Sequence, residues 1–251
     1  MIPLIARLTK GLRHCISHLI CKVAVTLLRR VTARSLPTTP EEWRYCEISF
    51  SQFGEDILIL RALESASFSG HGIYVDVGAF DPIVYSNTLR LHLAGWQGIN
   101  IDPDPKHILR FDRLRPKAHN VCLAIANGER MEEFLVYSAG TTSQLASCAI
   151  DGRSLLKEQP VGKILVPVRP LAAVLKDFLV DPSRFAVLSV DTEGGDLAVL
   201  QSNDWAHFRP YVIAVEDHTQ SADSEIDAFC RAQEYRLFAR CGVTKVFIKS
   251  R

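Results

Sequence analysis

No C-x-x-C pair occurs among the seven cysteines of this 251-residue chain, which stand at positions 15, 21, 46, 122, 148, 230 and 241. An odd, scattered set without that spacing argues against both a disulfide framework and a structural zinc site, and suits a reducing, cytosolic compartment. Excess charge is missing too. With 29 basic and 28 acidic residues the formal net charge is +1, so no global field draws the chain to nucleic acid. An uninterrupted membrane-length apolar run is also lacking: the stretch over the first thirty residues is broken by His14, His18 and Lys22, short of the ~20 apolar residues a span needs. No small-residue cleavage site clearly follows that stretch, so a secretory signal is not expected. Internal repeats and low-complexity tracts are absent. What is present, 47% hydrophobic and 23% charged residues, is an ordinary globular composition with enough apolar material for a full core.

One charge sign is locally absent. Residues 1–40 hold seven basic residues (Arg7, Lys10, Arg13, Lys22, Arg29, Arg30 and Arg34) and no acidic one, so the rest of the chain carries 22 basic against 28 acidic residues. Ile5, Leu8, Leu12, Ile16, Leu19, Val23 and Leu27 recur at spacings of three and four, one face of a basic amphipathic helix running to about Arg30. Such a helix can lie on an anionic membrane surface or pack against the body or a partner subunit. The second is favoured because most basic amphipathic helices need no lipid. Ser35–Pro40 reads as a linker. Two regions result: an N-terminal helix and linker over residues 1–40, and one main domain over 41–251.

In the main domain helical and strand patterns alternate. A helix is expected from Ser51, then a strand at Ile73–Val77, a helix of about ten residues from Tyr85 to Ala94, and a strand at Ile99–Asp102 closed by Pro103. A helix from Pro105 to Arg113, strands near Asn120–Ala124, Glu133–Tyr137 and Lys163–Val168, and a helix at Leu171–Phe178 follow. Phe185–Val190 is the most apolar strand; Tyr211–Val215, a helix at Ser224–Gln233, and a hairpin of Tyr235–Ala239 with Thr244–Lys249 complete the order. This alternation implies an α/β fold with a mainly parallel sheet covered on both faces, binding ligands at the carboxyl ends of its strands. The acids fall at that end: Asp81 after the first strand, Asp102 ending the second, Asp191 and Glu193 after Phe185–Val190, and Glu216 after the next.

The turn after the first strand lacks the G-x-G-x-x-G of a pyrophosphate site, since only Gly78 follows the strand. A ligand with an adenosine but no pyrophosphate suits it better. Asp102, 24 residues beyond Gly78, stands where a carboxylate accepts from ribose hydroxyls; the bland alternative is an Asp-Pro turn.

Five segments together, Ser51-Gln-Phe-Gly-Glu-Asp56, Tyr74-Val-Asp-Val-Gly-Ala79, Ser86-Asn-Thr88, Gly95-Trp-Gln-Gly98 with Ile101-Asp-Pro103, and Val190-Asp-Thr-Glu-Gly-Gly195, resemble the FkbM-type methyltransferases. The resemblance covers about Ser49 to His218. It departs from the family pattern at Asp102-Pro103, where Glu-Pro is commoner, and at Phe80-Asp81-Pro82, where an Asn or Gly is common. It implies a Rossmann-like class I fold with a seven-stranded sheet and a C-terminal antiparallel hairpin, and S-adenosylmethionine as cofactor. It also implies O-methylation of a hydroxyl on a sugar or related small metabolite. By that resemblance Asp76, Gly78 and Ala79 lie along the methionine moiety, Ser86, Asn87 and Thr88 at a helix start receive its carboxylate, and Ala124 borders the adenine. Helix capping is the alternative for the Ser-Asn-Thr group. On the acceptor side Asp191, Glu193, Glu216 and His218 are candidates to accept the hydroxyl proton. Asp191, Glu216 and His218 have the chemistry of a magnesium or manganese site, but no metal is called for. The Gly140–Leu145 segment, rich in hydroxyls, is either an acceptor wall or a polar loop. The rival readings are a Rossmann-type enzyme of another nucleotide, disfavoured by the missing glycines, and a non-catalytic scaffold recruited through its N-terminal helix.

Overall fold

The computed structural model describes residues 39–138, 140–149, 159–219 and 223–250. The amphipathic helix expected near the N-terminus, and all of the linker but Thr39 and Pro40, lie outside the described residues. The chain divides into two compact units, Met1–Ile48 and Ser49–Arg251. In the first, a short helix α1 (Pro40–Arg44) starts with reciprocal hydrogen bonds between Thr39 and Glu42. No helix among the described residues is long and apolar enough to cross a membrane.

The second unit runs α2 (Glu55–Ser65), β1 (Ile73–Val77), α3 (Leu89–Leu93), β2 (Gln97–Asp102), α4 (Pro105–Leu114), β3 (His119–Cys122), β4 (Ala124–Ile125), β5 (Arg130–Val136) and β6 (Gln144–Leu145). It continues through β7 (Gly162–Arg169), α5 (Leu171–Phe178), β8 (Phe185–Val190), α6 (Asp196–Gln201), β9 (Val212–Glu216), α7 (Glu225–Ala232), β10 (Tyr235–Cys241) and β11 (Thr244–Lys249). Seven strands form the main sheet in the order β10-β11-β9-β8-β1-β2-β3. The five from β9 to β3 are mutually parallel, and β11 runs antiparallel between β9 and β10, so the C-terminal hairpin closes one edge.

Alternation along the strands decides which helix covers which face. Ile73, Val75 and Val77 of β1 pack with Leu171, Val174 and Leu175 of α5, Val199 and Leu200 of α6, and Ile226 of α7. Tyr74, between them, faces the other way, onto Ile59 and Leu63 of α2 and Leu91 of α3. Every residue of β1 and β8 is buried, as parallel strands covered on both sides require.

Five elements differ from the sequence reading. The helix expected from Ser51 begins at Glu55, because Asp56 instead gathers the Ser49 and Ser51 hydroxyls and the Phe50 N–H into a turn. The ten-residue helix expected over Tyr85–Ala94 is the five-residue α3; Tyr85 has φ +56°, a left-handed conformation that no α-helix tolerates. The strand expected at Asn120–Ala124 divides at Leu123: β3 joins the main sheet, while β4 joins a second, four-stranded sheet, β4-β7-β5-β6. The strands expected near Glu133–Tyr137 and Lys163–Val168 belong to that second sheet as the antiparallel pair β5 and β7. Its own small core is Ala124, Ala126, Phe134, Leu145, Val166 and Val168.

Candidate active site

Strand order reverses between β1, which leads outward to β2 and β3, and β8, which leads the other way to β9. Connections leave in opposite directions there, so a crevice opens beyond the carboxyl ends of these strands. At that place lies a cleft with about 1070 Å³ of empty space, partly open to solvent. Asp76, Gly78, Ala79, Asn87, Asp102, Ala124, Asp191, Glu193 and Glu216 all contribute to its wall.

Gly78 makes the crevice possible. Its N–H and that of Ala79 both donate to the Ile101 carbonyl, turning the chain sharply over β2. Gly78 has φ +75°, and a Cβ on it would lie 1.7 Å from the Asp191 carbonyl oxygen. The turns after β1 and β8 therefore touch, backbone to backbone, where any side chain would force them apart. Asp191 N–H donates to Val77 O across the same contact. Three non-glycine residues also take left-handed backbone here, Phe80 (φ +52°), Tyr85 (φ +56°) and Glu193 (φ +54°). Strain of this kind persists where the surrounding structure over-determines it, and all three line the cleft.

On the β1–β2 side, Phe80-Asp81-Pro82 proves structural as well as local. The Phe80 N–H donates to Asp102 Oδ2 at 2.9 Å, and its ring meets His107 edge to face. Asp81 does not join the cleft wall: it accepts from the Ile83 and Val84 N–H groups and pairs with Arg110 at 2.7 Å. Asp102 is heavily engaged. Besides Phe80 it accepts from Asp104 N–H and lies 2.9 Å from His107 Nδ1, leaving about one of its roughly four lone-pair directions for a ligand. Burial works against a charged His107, but Asp102, with Asp104 and Asp81 behind it, outweighs burial and raises its pKa.

The Ser86-Asn87-Thr88 group splits. Asn87 reaches the cleft and donates to Ser189 Oγ at 3.4 Å. Thr88 is buried and gives its hydroxyl to Asp76 Oδ2 at 2.6 Å, while Ser86 accepts the Leu89 N–H. Ser86 lines the cleft beside Asn87 and Thr88 stands behind it, and the helix that follows them is the five-residue α3, with little dipole to offer.

The opposite wall comes from the ends of β8 and β9. Asp196 is buried and accepts from the Thr192 N–H and hydroxyl and the Gly194 N–H, so it builds the turn that carries Asp191 and Glu193. The Asp191 carboxyl is packed closely by protein although the residue opens onto the cleft. That burial, then the charges of Asp196, Glu193 and Asp76, raise its pKa well above the ordinary carboxylate range, against a hydrogen bond with Glu216. Glu216 in turn lies 3.1 Å from His218 Nε2. Asp191, Glu216 and His218 thus stand as consecutive titratable neighbours along this wall. One oxygen or nitrogen each from Glu193, Glu216 and His218 falls within 4.8 Å of the others, a set that could hold a divalent cation and that includes Glu193 rather than Asp191.

The second sheet supplies the roof. Gly140, Thr141, Ser143 and Leu145, from the hydroxyl-rich segment, line the cleft together with Cys148. Sequence reasoning passed over Phe80 and His107 as site residues. His107 carried a signal: it stands five residues after Asp102, in the first turn of a helix that begins at the same sheet edge.

A family model for the methyltransferase FkbM domain matches residues 76–237. No curated protein matches the chain. Among solved structures the chain is similar to the crystal structure of methyltransferase FkbM from Methylobacillus flagellatus KT at 2.20 Å resolution, with 14% identity and a TM-score of 0.46. That match covers 98% of this chain but 57% of the other, so the chain spans little more than half the length of the structure it resembles.

Proposed function

The chain belongs to the FkbM methyltransferase domain family, and on that premise we propose that it transfers a methyl group from S-adenosylmethionine to a hydroxyl of a sugar or related small metabolite. The observation that carries the reading is the Gly78–Asp191 contact, which brings a close-approach turn and an acid-lined wall to one crevice. Its residues fit the donor. Asp76 and Asp191 offer negative charge to a sulfonium and an ammonium group, and both line the same cleft. Asp76 with the Gly78-Ala79 backbone would hold the methionine end, Asp102 would accept one ribose hydroxyl, and Ala124 would border the adenine.

When bound, the donor supplies an electrophilic methyl whose bond to sulfur breaks as the bond to the acceptor oxygen forms. The chain's own residues then have two tasks. Thr141 and Ser143 in the roof orient a polar acceptor, and holding its oxygen in line with the methyl supplies much of the rate. The hydroxyl proton passes to the carboxylates: Asp191, its pKa raised by burial and neighbouring acids, holds a proton more readily than an ordinary aspartate, and Glu216 and His218 stand beside it. Glu193, on the strained turn beside them, faces the same acceptor space.

Calorimetry with S-adenosylhomocysteine tests the donor assignment; absence of heat at millimolar ligand would overturn it. Glu216→Gln should then lower kcat by about 10²-fold or more while the donor still binds, because the proton path is cut but the donor wall is not.

A further inference from the structure

Among the described residues Arg115 is the largest side chain without exposed surface, and it touches neither the donor turn nor the acceptor wall directly. It ends α4 and lies behind the cleft, over the Phe111 ring at 5.0 Å. Its Nη1 donates to Thr88 Oγ1 at 2.9 Å and also reaches the Tyr74 hydroxyl and Asn100 Oδ1. Its Nη2 donates to Pro82 O at 2.7 Å and Ser86 Oγ at 2.9 Å. Among the described residues no carboxylate touches it directly. A buried guanidinium without an adjacent anion is costly unless a counter-charge stands close behind its partners. That counter-charge is Asp76, which accepts the Thr88 hydroxyl at 2.6 Å. One threonine oxygen thus accepts from the cation and donates to the anion, and the anion opens on the cleft.

We propose that Arg115 is a positioning residue of the donor site: through the Thr88 hydroxyl it holds the Asp76 carboxylate charged and aimed at the cleft, ready for the cationic end of the donor. The proposal rests on the donor reading given above. Its geometry explains why the chain from Pro82 to Thr88 is not helical, since the guanidinium fork draws Pro82 O, Ser86 and Thr88 to one point. A lysine's single ammonium would not hold those three acceptors in one plane.

The charge of Asp76 needs such support. Around it stand Tyr74 on its own strand, Thr88 from the loop before α3, Arg115 from the end of α4, Ser189 from β8, Asp102 from the end of β2 and Asp191 after β8. Burial raises the Asp76 pKa and the neighbouring acids add to it; the Thr88 hydroxyl and then Arg115 work against both.

The Asp76 carboxyl can be titrated by carbon-13 NMR in the ligand-free protein, comparing wild type with Thr88→Val, Thr88→Ser and Arg115→Met. In Thr88→Val and Arg115→Met the midpoint should rise by about one pH unit or more, and Thr88→Ser, which keeps the hydroxyl, should return it to within a few tenths of wild type. In calorimetry the affinity of Thr88→Val for S-adenosylhomocysteine should fall about tenfold below its new midpoint and recover above it. If Arg115→Met does not fold, Thr88→Val carries the test alone. An Asp76 midpoint unmoved in a folded Thr88→Val protein, or a loss of affinity equal at every pH, would overturn the proposal in favour of a purely structural arginine. Wild type that binds no S-adenosylhomocysteine would sink the donor reading, while the ligand-free titration would still decide whether Arg115 and Thr88 govern Asp76.

Discussion

At the scale of single residues the site turns on an atom that is missing. Gly78 takes φ +75° with the Asp191 carbonyl where its Cβ would be. Gly78→Ala adds left-handed strain and a clash with backbone that cannot swing aside, together worth about 3 kcal/mol or more. Urea denaturation should show that loss; a midpoint near wild type would mean that the two turns can separate freely. Gly78, Asp76 and Asp102 were legible because a short strand, a glycine and an acid at the end of the next strand occupy fixed places in a parallel sheet. For Ser86 and Thr88 the bonds to Arg115 were not legible. Their partner, Arg115, comes from a distant segment, and hydrogen bonds between distant segments leave no local pattern. Arg115 did leave a trace, lying on the helix stripe of Ile108 and Phe111 at spacings of three and four.

Elements were legible where burial is set locally. The Leu171–Phe178 helix and the Phe185–Val190 strand fall where their apolar patterns place them. Membership of a sheet is not local, and β5 and β7 could not be separated from the main sheet by their own residues. The C-terminal hairpin shows the same limit. Lys245 is the one charged residue inside the Thr244–Ile248 run, and with β11 lying inside the sheet its side chain is buried. Its Nζ is 2.8 Å from Asp217 and also bonds Asp227, tying the hairpin to the end of β9 and the start of α7. Burial alone would raise the Asp217 carboxyl, but Lys245, Ser224 and Thr219 outweigh it and bring it down to about 2. A folded value below the unfolded ~3.9 adds stability at neutral pH that is lost as pH falls from about 4 through about 2. Lys245→Met should therefore cost about 3–5 kcal/mol at pH 7, since two buried carboxylates lose their cation, and less at pH 3.5, where they can take up protons. Denaturation at the two pH values measures this, and an equal cost at both would assign Lys245 a packing role only.

For the whole molecule, charge and fold divide the chain in nearly the same place. The basic, acid-free stretch ends by residue 40, and the compact unit that carries the cleft begins at Ser49. The cleft wall draws its residues from Gln52 to Glu216, and both faces of the main sheet are covered from within that unit. A unit with its own core and all of its site residues should keep its fold and its ligand without the preceding segment. A chain trimmed to residues 49–251 is expected to bind S-adenosylhomocysteine within about twofold of the full chain, leaving residues 1–48 to govern where the protein sits. Calorimetry on both chains, with vesicle flotation on the same samples, separates the tasks. If trimming weakens binding tenfold, the first unit contributes to the site. If only the full chain floats with anionic vesicles, the basic segment is a membrane-surface helix rather than one packed on protein.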